Sequence, residues 1–222
     1  MGTGKTDTVV RVSVLLATGA LLYGLAVDIL TAVHIEVFMH LFVGRTSLFL
    51  AFFSACAMLF FFIAFAIRYL EYGLSRLKMA TFFVIGGASL MLLLHIKGFA
   101  IHFNLYSWAS VFRFSYLEPF IPWFNSLLLL VFFIVFHLEM ALQKQTQLAR
   151  ATMCGIVSSA ISFLMRCGFL FFYVNTGTFR WFSELPQAMR IALLPVNMIG
   201  HGLLLCFFII FWRELRASPD GA

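Results

Sequence analysis

Charge is what this chain has least of. Asp and Glu number 9 and Lys and Arg 15 in 222 residues, and the four types together make up 11% of the sequence. A soluble domain carries about 25%. Proline is also rare, with 5 residues, and no stretch rich in Pro, Gly or Ser divides the chain, so a single domain spanning residues 1–222 is expected. Cys56, Cys154, Cys167 and Cys206 show no CxxC spacing. That excludes a thiol redox motif and a zinc knuckle, and the four read as small buried hydrophobes. There is no GxSxG, no HExxH and no close pair of carboxylates beside a base. No internal repeat stands out by eye. Gly4-Lys5-Thr6 lacks the upstream glycine of a phosphate-binding loop, and Met1-Gly2 with Thr6 matches only the permissive myristoylation pattern. Lys5 and Arg11 before an apolar run resemble a secretory signal, but Asp28 and the lack of a small-residue cleavage site favour a retained first helix.

What fills the chain instead is hydrocarbon. Hydrophobic residues make up 63% of it, and 29 are Phe. A helix rises ~1.5 Å per residue, so about 20 apolar residues cross the ~30 Å hydrocarbon core of a bilayer. Runs of that length lie near residues 12–34, 48–67, 79–103, 121–140, 151–174 and 191–212. The expected fold is an all-α integral membrane protein, a single bundle of six transmembrane helices with the lipid bilayer as its main partner. A bacterial inner membrane or an organelle membrane is the expected location.

The formal charge of +6 belongs to topology rather than to nucleic acid. Lys5, Arg11, Arg68, Arg76, Lys78, Lys144, Arg150, Arg213 and Arg216 fall on one side of the spans. Arg45, Arg113, Arg180 and Arg190 fall on the other. The positive-inside rule then places both termini in the cytoplasm. Trp108, Trp123, Trp181 and Trp212 fall at span edges or in connections, where an indole keeps one wet end. The outer connections over residues 104–119 and 175–190 are aromatic and should lie in the interface.

Ionisable residues inside the spans are the candidate site. Each costs ~2.5–3.5 kcal/mol at a helix centre and must face protein, water or a partner. Counted from the outer span ends, Asp28, His95, Lys97, Arg166 and His201 lie about 9–15 Å deep, in one layer of the outer leaflet. His34 and His102 lie nearer the surface. Asp28 with Arg166 or Lys97 is the expected ion pair, and such a pair could serve only to specify packing. His95 and His102 are seven residues apart and project from nearly one face, separated by ~10 Å along the axis. This suggests two stacked sites, His95 with His201 below and His102 with His34 above. One histidine from each of two helices, with small residues alongside, suits a b-type haem. Gly200-His201-Gly202 and His95-Ile96-Lys97-Gly98 have that character, and Lys97 or Arg166 could receive propionates. His95 and His201 are thus the metal-ligand candidates, and His34, His102, Lys97 and Arg166 complete the cofactor set. The alternative for each histidine is a hydrogen bond across the bundle, with GHG marking close packing. His137 reads as an interfacial residue, and His34, Glu36 and His40 as an alternative surface metal site. Pro195 lies near the start of the last span and predicts only a mild kink.

In outline, six helices with intramembrane histidines resemble membrane cytochrome b subunits, though no motif carries that family's roles onto this chain. The expected function is a membrane electron-transfer subunit binding haem b, or another metal or a quinone, within a larger membrane complex. A non-catalytic structural or assembly subunit is the alternative. A small-solute or proton transporter comes third, because the inner halves of the spans offer only Ser54, Ser158 and Ser162 as polar steps. A cytoplasm-specific reporter fused to either terminus is expected to be active; activity of an externally active reporter at the same ends would overturn the assigned orientation.

Overall fold

The computed structural model describes residues 3–32, 45–69, 75–103, 117–176 and 187–217. Six helices fill these segments: α1 Thr3–Ala32, α2 Arg45–Tyr69, α3 Ser75–His102, α4 Phe120–Leu142, α5 Thr146–Thr176 and α6 Gln187–Ala217. No strand occurs among the described residues. All six helices are long and apolar enough to cross a membrane. Each matches one run expected from the sequence, extended by up to about nine residues at an end, because helical hydrogen bonding continues past the apolar stretch into the polar flanks. Pro195 lies inside α6, which runs on without a break.

Each helix packs on the next in the chain, and α6 closes back on α1. The bundle is therefore a closed up-and-down ring with both termini at one face, called here the terminal face. Arg11 at the start of α1 donates to the Leu215 carbonyl at the end of α6, which joins the two chain ends there. Large apolar side chains such as Leu164, Phe171 and Met79 are exposed around the outside, as lipid contact requires. Among the cysteines, Cys206 joins that exposed surface and the other three are half-buried, so the expected full burial of the four is not met.

The core lies in the terminal-face half and is built from a repeat. Phe61-Phe62-Ile63-Ala64-Phe65 on α2, Phe132-Phe133-Ile134-Val135-Phe136 on α4 and Phe207-Phe208-Ile209-Ile210-Phe211 on α6 are the same FFIxF motif, 71 and then 75 residues apart. All nine phenylalanines are buried. Their contacts run in a cycle. The second Phe of each motif meets the first of the next: Phe62–Phe132 at 5.1 Å, Phe133–Phe207 at 4.9 Å and Phe208–Phe61 at 4.9 Å, with rings crossed at 82°, 81° and 80°. Such edge-to-face pairs add ~0.5–1.5 kcal/mol each beyond their burial. The odd helices follow the same rule. Val10, Ser13 and Val14 on α1, Leu77, Ala80 and Thr81 on α3, and Leu148, Ala151 and Thr152 on α5 form one buried pattern spaced 67 and 71 residues apart. The chain is thus three helix hairpins arranged about a quasi-threefold axis. The repeat escapes inspection of the sequence because lipid-facing positions vary freely among apolar residues and dilute the few positions that packing constrains.

Small residues set how closely the helices approach. A Cβ on Gly155 would lie 2.4 Å from the Phe133 ring, whereas one on Gly19 would meet nothing within 4 Å. Gly155→Ala is expected to lower stability by about 1–3 kcal/mol, the range for overpacking. Thermal unfolding in detergent, with Gly19→Ala as the control that does not lower the midpoint, checks this.

Candidate functional site

The helix repeat decides which way the ionisable residues face. Asp28 lies 18 residues beyond Val10, His95 18 beyond Leu77 and Arg166 18 beyond Leu148. Eighteen residues are about five full turns. Each ionisable residue therefore projects from the same helix face as a buried core residue, ~27 Å further along the axis. Asp28, His95 and Arg166 occupy quasi-equivalent places, one per hairpin, in a single layer beyond the phenylalanines. The expectation of a shared layer thus gains a facing.

At the α1–α6 seam the layer is bonded. His201 Nδ1 donates to Asp28 Oδ2 at 2.7 Å, and Asn197 Nδ2 lies 3.2 Å from both carboxylate oxygens. Asn197 and His201 are four residues apart and so share a face of α6. Asp28 is 8% exposed, and its carboxylate is compensated by these donors. The imidazole sits in the notch left by Gly24, where an added Cβ would lie 3.6 Å from His201 Cε1. With Nδ1 donating, Nε2 is the free nitrogen; the side chain stays 32% exposed, and a Cβ on Gly202 would meet nothing within 4 Å. GHG therefore marks open space beside the imidazole on the Gly202 side. On the Gly200 side, Ser158 of α5 donates to the Gly200 carbonyl at 2.8 Å.

The other sequence-predicted residues divide as follows. Asp28 and Arg166 do not form the expected ion pair among the described residues, because α6 lies between their helices and its own side chains reach the carboxylate first. Lys97 does not pair with Asp28 either. It lies two residues, ~200° of rotation, past His95 and bonds Glu118, just ahead of α4. His95 lies on α3 and His201 on α6, opposite members of the ring, and His95 makes no hydrogen bond among the described residues. His34, Glu36 and His40 lie outside the described residues, as does the side chain of His102, the last residue of α3. His137 is no free interfacial group: its Nδ1 donates toward the Ala149 carbonyl at 2.9 Å and lies 3.0 Å from Thr152 Oγ1, tying α4 to α5. Asn197 and Glu118 were missed by sequence reasoning. The i, i+4 spacing of Asn197 and His201 was the available signal for the first, and none marked the second.

No group of three or more His, Cys, Asp and Glu able to hold a metal ion occurs among the described residues. Comparison with protein-family models, curated proteins and solved structures finds no match to this chain.

A double-mutant cycle tests the seam. Asp28→Ala and His201→Ala should couple by about 1.5–3 kcal/mol, the worth of a hydrogen bond to a charged group. Asp28→Ala with Arg166→Gln should be additive within about 0.5 kcal/mol. Strong coupling in the second pair would restore the Asp28–Arg166 ion pair.

Proposed function

We propose that this protein is a multi-pass membrane subunit that holds a redox cofactor, in its simplest form a b-type haem, in the outer half of the bilayer. One observation carries the reading: His201 is clasped through Nδ1 by a carboxylate and keeps Nε2 without a protein partner among the described residues. A carboxylate behind a ligating imidazole fixes its tautomer and orientation and raises its basicity. His95 shares the layer and has uncommitted nitrogens, which suits a second axial ligand. The nine buried phenylalanines argue against the transporter alternative. They fill the axis of the other half, where a route for ions or solutes would need polar groups.

A second reading has an observation of its own. The Asp28–Asn197–His201 cluster joins the first helix to the last, at the seam that closes the ring. A structural or assembly subunit would use it to select one bundle and to present a finished surface to partner helices.

The oxidised-minus-reduced absorption spectrum of the purified protein separates the two. Haem bands that disappear in His201→Ala, and a midpoint potential that rises in Asp28→Asn as the ligand loses basicity, are expected for the redox subunit. A protein with no haem bands and no metal by elemental analysis is the structural subunit.

A further inference from the structure

The quasi-threefold repeat assigns a counterpart to every residue of the Asp28 seam, and the counterparts explain why two members of the layer are left over. The register that sets Asp28 of α1 against Asn197 and His201 of α6 sets His95 of α3 against Ala51 and Ala55 of α2. It sets Arg166 of α5 against Pro122 and Ser126 of α4. Alanine has nothing to offer an imidazole. Ser126 Oγ donates to the Pro122 carbonyl at 2.8 Å and keeps its lone pairs, but no hydrogen bond joins it to Arg166 among the described residues. The one carboxylate of the layer is held at the first seam, and Lys97 and Glu118 neutralise each other. Arg166 is left with no ion pair and no hydrogen bond among the described residues, ten residues inside α5 from its far end, or ~15 Å of helix. Its helix is separated only by α4 from α3, whose His95 imidazole also makes no hydrogen bond among the described residues. A guanidinium at that depth is costly unless protein, water or something with the opposite charge meets it.

We propose that Arg166 and His95 form an oxyanion-binding site above the phenylalanine plug, which takes the carboxylate or phosphate of a ligand reaching it from the end opposite the termini. The planar guanidinium grips two oxygens side by side. His95 contributes one further hydrogen bond, Ala51 and Ala55 leave the room beside it, and the buried rings of Phe61, Phe132 and Phe207 lie beneath as an apolar floor that excludes water. Asp28 is turned to the α1–α6 seam, where its carboxylate accepts from Asn197 and His201. The site takes His95 as a hydrogen-bond donor in place of a second axial ligand and leaves the His201 part of the redox reading untouched. It concerns the charge left over in the layer, and its test uses no spectrum of a cofactor.

Purified full-length protein in nanodiscs of zwitterionic lipid is equilibrated separately with isotope-labelled acetate, inorganic phosphate, oleate and phosphatidylglycerol, and the bound probe is counted. At least one probe should bind the wild type, Arg166→Gln should weaken it about tenfold or more, and Arg166→Lys should fall between, as a point charge without the fork. Arg216→Gln, near the terminal face, should bind as the wild type does. Arg166-dependent uptake of acetate or phosphate assigns a water-soluble source, and uptake of oleate or phosphatidylglycerol alone a membrane source. Either supports the site. Should the Gln variant fail to fold, His95→Gln, expected to weaken the same probe several-fold, and a rise of the wild-type unfolding midpoint with that probe keep the test decisive. Binding of none of the four by the wild type, or equal binding by every variant, would overturn it.

Discussion

Three edge-to-face phenylalanine pairs hold this protein in register. Each joins two of the even-numbered helices, and because the second ring of one motif meets the first of the next, the contacts form a cycle that closes only when all three helices are present. Lipid supplies no hydrophobic force to drive apolar helices together, so such interlocking contacts, with close approaches like that of Gly155 to Phe133, must fix the arrangement. The odd-numbered helices lie between the even ones and inherit their level from them. The height at which Asp28, His95 and Arg166 meet is therefore a consequence of where the rings lock.

The polar layer shows what a repeat can do once its copies diverge. Three equivalent places hold an acid, an imidazole and a guanidinium, and among the described residues only the acid is hydrogen-bonded to the neighbouring helix. The seam that carries them is the one between the first and last helices, which no connecting loop holds together. A charged hydrogen-bond cluster there compensates for the missing covalent link. The same cluster leaves His201 with one nitrogen bound and one free, the condition in which an imidazole ligates a metal or passes a proton.

The two halves of the bundle divide the work. The half at the terminal face is aromatic and holds the buried core. The other half carries the ionisable groups Asp28, His95, Arg166 and His201.

Much of this was legible without coordinates. The number of spans, their rough limits and the common depth of the intramembrane ionisable residues follow from hydropathy and from the fixed rise of a helix, which are local properties. What sequence reasoning could not supply was the choice of neighbour. Asp28 is near Arg166 in depth, yet it bonds His201 and Asn197 because ring closure puts α6 beside α1, and closure is a property of the whole chain. Lys97 and His95 are two residues apart and looked like one site, but a helix turns them to different sides. The hairpin repeat lay in the sequence throughout, as FFIAF, FFIVF and FFIIF, and it acquires meaning only when the three motifs are seen to touch. Local physics determined what this chain is made of; the packing of distant segments decided which charges are spent and which are left.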